Sequence, residues 1–172
     1  MSPKFQRPYS WEKKHVQVFW NDLTTFQREG SFKGGPDKYF LGPIVIRAES
    51  KETIYLLDGQ QRLATATIFF AVLRDLAREL GTRDATDFAR DIHVQLIWKE
   101  DVGFALELSE LDKSYFEETI QTDVPLRKKP TLRSHRLIQK AQQVLTESVK
   151  TKIGSLDPHP EPLLNFGSCA NS

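Results

Sequence analysis

The sequence predicts an α+β fold: a small mixed sheet with packed helices, followed by a helical C-terminal part. Three observations predict it. Several segments carry apolar residues at helical spacing, and others are short apolar runs bounded by glycine and proline. Only "AESKE" separates the first two such runs, "YFLGPIVIR" and "TIYLL". So short a link favours an antiparallel hairpin, because a parallel crossover needs a dozen or more residues. Finally, helical and extended segments alternate along the chain without an internal repeat or a sustained heptad.

In "WEKKHVQVFWNDLTTFQREG", Trp11, Val16, Phe19, Trp20, Leu23 and Phe26 fall on one helical face. Ser10 stands at its start and Gly30 at its stop, so residues 11–29 form an amphipathic helix. "SFKGGPDK" is a loop, and "YFLGPIVIR" is a strand broken near Gly42 and Pro43. After "TIYLL" the chain turns helical from Gln60 to about Leu80, apolar in its first turns and amphipathic later, with Gly81 as its stop. A polar connection follows. "DIHVQLIW" and "GFALELS" then read as two strands around the turn "KEDVG", and "ELDKSYFEETIQ" and "LRSHRLIQKAQQVLTESVK" as two helices. Lys128 and Lys129 fit a solvated loop. From Gly154 the pattern dissolves, so the expected division is a domain over residues 1–153 and a tail, linker or truncation point over 154–172.

At 172 residues the chain is long enough for one domain with a real core. Its formal charge is +1, which gives no general pull toward nucleic acid or an anionic membrane, so any such binding is local. "MSPKFQRPYSWEKK" lacks a signal-peptide core, and "LATATIFFAVL" falls short of the roughly 20 residues that span a bilayer. These features predict a soluble, cytoplasmic protein with no membrane partner. Cys169 is the single cysteine, which rules out an internal disulfide and any multi-cysteine zinc site.

Polar chemistry concentrates in "IYLLDGQQRLATATIFF", residues 54–70. One reading is purely structural: Asp58 caps a helix, Gly59 permits a tight turn and Arg62 pairs at the surface. The other begins from a strand that turns directly into a buried helix, leaving free N–H groups and the positive dipole end at a sheet edge, a natural place for phosphate. Arg62 then offers a planar donor fork, and Gln60 and Gln61 donate to phosphate, ribose or base. Asp58 would repel a bare phosphate. It fits if it holds a divalent ion bridging phosphates, or activates a water or hydroxyl. Neither a Walker A loop nor a dinucleotide fingerprint is present, so the nucleotide reading requires another fold.

"FQRPYSW" at 5–11, "YFLGPIVI" at 39–46 and "LLDGQQRLAT" at 56–65, in this order and spacing, closely resemble the N-terminal domain of GmrSD-type restriction endonucleases. The likeness is strong over residues 5–80 and general in layout over 90–150. It implies a branch of the ParB/sulfiredoxin-like fold, in which a strand runs into a helix start bearing glycine and arginine that binds nucleotide phosphates. DGQQR domains of that family are associated with nucleoside triphosphate hydrolysis in systems that sense or cut modified phage DNA. By matching position, Asp58, Gly59, Gln60, Gln61 and Arg62 inherit the site, with Gln6 and Arg7 as its N-terminal part. The resemblance thus implies Asp58 and Arg62 in catalysis, magnesium held through Asp58, and a nucleoside triphosphate as substrate or ligand. DNA and a C-terminal or separate nuclease component are the implied partners.

Arg7 precedes Pro8, which biases it to an extended conformation that could hold its side chain toward a neighbouring site; it fits equally a surface position at the start of the first helix. Tyr9 and Trp11 fit core anchors better than base-stacking groups, and Lys33-Gly34-Gly35 fits a plain turn better than a phosphate loop. GmrSD-type proteins commonly carry a second domain with a His-Asn-His metal site, but His15, His93, His135 and His159 form no such grouping, so DNA cleavage is not assigned to this chain. His93, on an expected strand, and His135, on an expected helix face, fit packed or solvated positions rather than ligands. Sulfiredoxin chemistry is excluded because its motif cysteine is missing. Two other functional readings stay open: a ParB-like module that binds nucleotide or DNA without turnover, and an inactive truncated remnant.

Overall fold

A computed structural model of the chain describes residues 7–30, 41–48 and 54–155. The loop at 31–38, the link at 49–53, Gln6 and the tail from 156 lie outside the described residues. The α+β class holds: helices form the bulk of the structure, and the strands lie in two small antiparallel sheets.

Helix α1 spans Lys13–Gly30 and buries Val16 and Phe19, the inward face its apolar spacing predicts. Strands β1 (Val45–Ala48) and β2 (Ile54–Asp58) form the expected hairpin, with Ala48 opposite Ile54, Arg47 opposite Tyr55 and Ile46 opposite Leu56. The register then shifts, so that Val45 faces Asp58 and Leu57 is the extra residue of a β-bulge. Without it, Val45 would face Leu57. The bulge brings Asp58 round to the face shared by Arg47 and Tyr55.

Helix α2 (Gln60–Leu80) follows after Gly59 alone and ends at Gly81, whose φ of +66° lets its N–H reach the Arg78 carbonyl. It is the central element. Ala64, Ile68, Ala71 and Val72 pack against α5 (Arg133–Gly154), which contributes Ile138, Ala141, Val144, Leu145 and Val149, while α1 lies along α5. Each of the larger aliphatic side chains contributes about 1.5–3 kcal/mol by leaving water.

Two sequence expectations fail between them. Residues 83–92 are no mere connection but helix α3 (Arg83–Ile92), capped by the Thr82 hydroxyl, which accepts from Ala85 N at 3.3 Å. "DIHVQLIW" is not a strand. It finishes α3 and continues as a π-helical turn over His93–Ile97, leaving only Trp98–Lys99 (β3) to pair with Gly103–Phe104 (β4). Burial falls on Ile92 and Ile97, five residues apart, which suits the wide π turn, while Val94 and Leu96 stay exposed. His93 therefore begins a helical turn instead of lying in a strand. Helix α4 (Lys113–Phe116) likewise runs into a π-helical turn, Glu117–Gln121.

Arg74 of α2 explains how that second turn ends. Its side chain is fully buried and donates to the carbonyls of Ile120 (3.1 Å) and Gln121 (3.3 Å), groups a helix terminus leaves without partners. It also binds Asp75 Oδ1 at 2.8 Å and faces His93 Nδ1 at 3.3 Å. His135 is buried on α5, stacked on Tyr115 at 4.1 Å with its Nε2 donating to the Leu111 carbonyl at 3.0 Å. No helix among the described residues is long and apolar enough to cross a membrane.

Candidate functional site

Three segments meet at the start of α2: the strap of residues 7–12, the β1–β2 hairpin and the turn at Gly59. Between them lies a cleft of about 640 Å³, a size typical of small-molecule sites. Arg7, Ser10 and Trp11 line it from the strap, Arg47 and Tyr55–Asp58 from the hairpin, and Gly59–Arg62 from the helix.

The strap is fastened at several points. Tyr9 is buried, its N–H donates to Asp112 Oδ2 at 2.7 Å, and its hydroxyl shares a hydrogen bond with Thr65 at 2.8 Å. Burial raises the Tyr9 hydroxyl well above its ordinary pKa, so it stays protonated. Gln61 completes the attachment: its Oε1 accepts from Ser10 N at 2.8 Å and its Nε2 donates to the Pro8 carbonyl at 3.3 Å. Tyr9 is thus the core anchor expected for it. Trp11 does both things, packing on the core and walling the cleft.

Arg62 fastens the other side. Its Nη1 donates to the Leu41 carbonyl at 3.3 Å, its Nη2 donates to the Pro43 carbonyl, and Nη2 lies 3.5 Å from Asp58 Oδ2. Two glycines make room for the guanidinium. Gly42 has φ +103°, and a Cβ there would lie 1.8 Å from Nη1; Gly59 has φ +94°, and its Cβ would lie 3.2 Å from Ile44 Cγ1 and 3.5 Å from Nη2. Only glycine suits such backbone angles and such close approach. The glycines of "LGP" and "DGQQR" are therefore parts of one device closed by Arg62.

Asp58 does not cap α2. The N-cap residue is Gly59, no side chain caps this end, and the first backbone bond runs from Leu63 N to Gly59 O at 3.0 Å. The N–H groups of Gln60, Gln61 and Arg62 consequently have no partner within the helix. Asp58 is 67% exposed at the mouth of the cleft, whereas the Arg62 side chain is 24% exposed. Gln60 Nε2 is buried without a hydrogen-bond partner, although an amide donor normally finds one. Among the described residues no group of three or more His, Cys, Asp or Glu is placed to hold a metal, and Asp58 is the only carboxylate lining the cleft.

The structure thus brings together Arg7, Asp58, Gly59, Gln60, Gln61 and Arg62, with Gln61 and Arg62 engaged by neighbouring backbone; Gln6 lies outside the described residues. Sequence reasoning missed Ser10, Arg47 and Tyr55. A signal for the last two existed: a hairpin folded symmetrically about the link at 49–53 pairs Arg47 with Tyr55.

No curated protein matches the chain. A family model for the N-terminal domain of the GmrSD restriction endonuclease matches residues 1–158. That span takes in the strap, the hairpin and every helix among the described residues, so the chain belongs to the GmrSD N-terminal domain family and is a module of a restriction system.

Proposed function

We propose that the chain binds and hydrolyses nucleoside triphosphates as a cytoplasmic module of a modification-dependent restriction or phage-defence system. The observation that carries this reading is the junction at Gly59: an uncapped helix start, the arginines of the cleft, and a carboxylate freed from capping duty, all facing one cleft. Dipole, free amides and guanidinium groups favour a phosphate chain. A strand feeding directly into a helix start bearing glycine and arginine also fits the ParB/sulfiredoxin-like relationship.

The chain's own groups divide the work as follows. Arg7 and the amides of residues 60–62 hold the phosphates. Gln60, with its unpartnered amide, orients the nucleotide. Asp58 takes the proton of a water that attacks the terminal phosphorus, while the bond to the β–γ bridging oxygen breaks, so that the nucleoside diphosphate leaves and inorganic phosphate forms. Arg62 and Gln61 act as positioning residues, since their donors hold the hairpin arm and the strap in place. Magnesium fits this donor set, because Asp58 offers one exposed carboxylate and phosphates and waters supply the remaining ligands; when bound it offsets the phosphate charge.

Phosphate release from each ribonucleoside triphosphate with magnesium tests the reading. The unmodified chain turns over and Asp58→Ala does not; equal turnover in both removes Asp58 from the mechanism. A second reading is nucleotide or DNA binding without turnover. It is favoured by Asp58 being the single carboxylate of the cleft among the described residues, and already engaged by Arg62. The +1 charge weighs against extensive DNA-backbone contact. A DNA titration across salt, run beside the release assay, separates the two. DNA and a C-terminal or separate nuclease component are the partners we propose.

A further inference from the structure

Arg47 lies outside every motif by which the site was found, yet it lines the cleft. It projects from β1 directly opposite Tyr55 of β2, and its guanidinium carbon lies 5.4 Å from the Tyr55 ring centroid. This is a cation–π contact, which attracts the charge to the ring without consuming the N–H donors of the guanidinium. Among the described residues Arg47 makes no ion pair and no side-chain hydrogen bond. That differs from Arg62, whose donors are taken up by Leu41 O and Pro43 O.

The bulge at Leu57 adds the geometric condition. It sets Asp58 against Val45, on the same face as Arg47, so that acid and guanidinium share the cleft with only Ile46 of β1 between their pairing positions. Two strand steps are about 7 Å. A long arginine side chain covers that distance to the mouth of α2. Arg47 thus has a donor fork, an aromatic neighbour and, among the described residues, no acidic partner, beside a cleft with an uncapped helix start.

From this arrangement we infer that Arg47 is a second phosphate-contacting residue of the site, donating from its guanidinium to the phosphate chain, and that Tyr55 is the positioning residue that supports that guanidinium. The inference rests on the nucleotide reading given above. It assigns the charge-neutralising contact to the hairpin, and leaves Arg62 to hold the hairpin arm. The ligand chemistry is a polyphosphate, and no base contact is required of Arg47.

The test uses the full chain and its Arg47→Gln and Tyr55→Leu variants, titrated with ribonucleoside triphosphates, with inorganic tripolyphosphate and with the uncharged nucleosides. A charge-assisted contact of this kind predicts roughly tenfold or greater weakening of triphosphate and tripolyphosphate binding in Arg47→Gln, with a shallower salt dependence. Nucleoside binding stays the same. Tyr55→Leu loses part of the affinity, Tyr55→Phe retains it, and combining Tyr55→Leu with Arg47→Gln adds little further loss, which a purely structural role for Tyr55 would not produce. Unchanged triphosphate affinity in Arg47→Gln, at unchanged melting temperature, overturns the assignment alone. Equal loss for nucleosides and triphosphates overturns it in favour of base stacking. No triphosphate or tripolyphosphate binding by the unmodified chain overturns the nucleotide reading, and the assignment with it.

Discussion

Replacing Gly42 with alanine strikes the device that joins the hairpin arm to α2. The added Cβ would fall 1.8 Å from Arg62 Nη1, and the backbone there has φ +103°. Holding a non-glycine residue in such a conformation costs about 1–3 kcal/mol. Displacing the guanidinium also forfeits its hydrogen bonds to Leu41 O and Pro43 O, about 1 kcal/mol each. The Asp58 pair adds little, because that carboxylate is 67% exposed. The sum is about 4 kcal/mol, and for a chain of this size a melting temperature lower by roughly 10 °C. Gly81→Ala is the control: its φ is +66°, and a Cβ there meets nothing within 4 Å. It carries only the backbone cost, about 1 kcal/mol, and a fall of roughly 3 °C. Thermal melts of both variants, with amide exchange followed over residues 41–48, provide the comparison. If the two alanines cost the same, and exchange at 41–48 is unaltered in Gly42→Ala, the guanidinium does not hold that arm.

Elsewhere, Arg74→Met should destabilise by about 3 kcal/mol, since it strands the carbonyls of Ile120 and Gln121 inside the protein; a urea midpoint shift worth less than about 1 kcal/mol would contradict that role. Acid should weaken the same corner. Desolvation chiefly holds the pKa of His93 below its ordinary 6.5, opposed by Asp123 and reinforced by Arg74 and Arg78. Below pH 6.5 the unfolded chain therefore takes up a proton that the folded chain resists, and stability falls as pH drops from 6.5 toward the lower folded value. His93→Gln should flatten the stability curve in that window, and an identical slope would remove His93 as its cause.

What could be read from residues alone follows physical lines. Helix α2 was legible at both ends because glycines mark them, and the first hairpin because its link is too short for anything else. "DIHVQLIW" misled because Ile92, Val94, Leu96 and Trp98 alternate with other residues as in a strand. Contacts with α2 instead bury Ile92 and Ile97, a spacing proper to a π turn and rare enough to be overlooked. Helix α3 was missed although Thr82 gives a clear cap, because only Ala89 and Ile92 of its residues are buried. At the site, residue identities could be read but not their division of labour. The long-range partners of Gln61 and Arg62 are backbone carbonyls and amides of the strap and hairpin arm, and backbone leaves no trace in composition. Arg47 escaped notice because its meaning depends on strand register.

Phosphates are expected to seat at the uncapped start of α2. Amide hydrogen exchange, read residue by residue with and without a non-hydrolysable triphosphate, measures this at the Gln60, Gln61 and Arg62 N–H groups. Strong slowing at these amides, with little change at α3 or the far end of α5, is the predicted result. Slowing confined to other elements, or none at ligand concentrations that saturate binding, would contradict it.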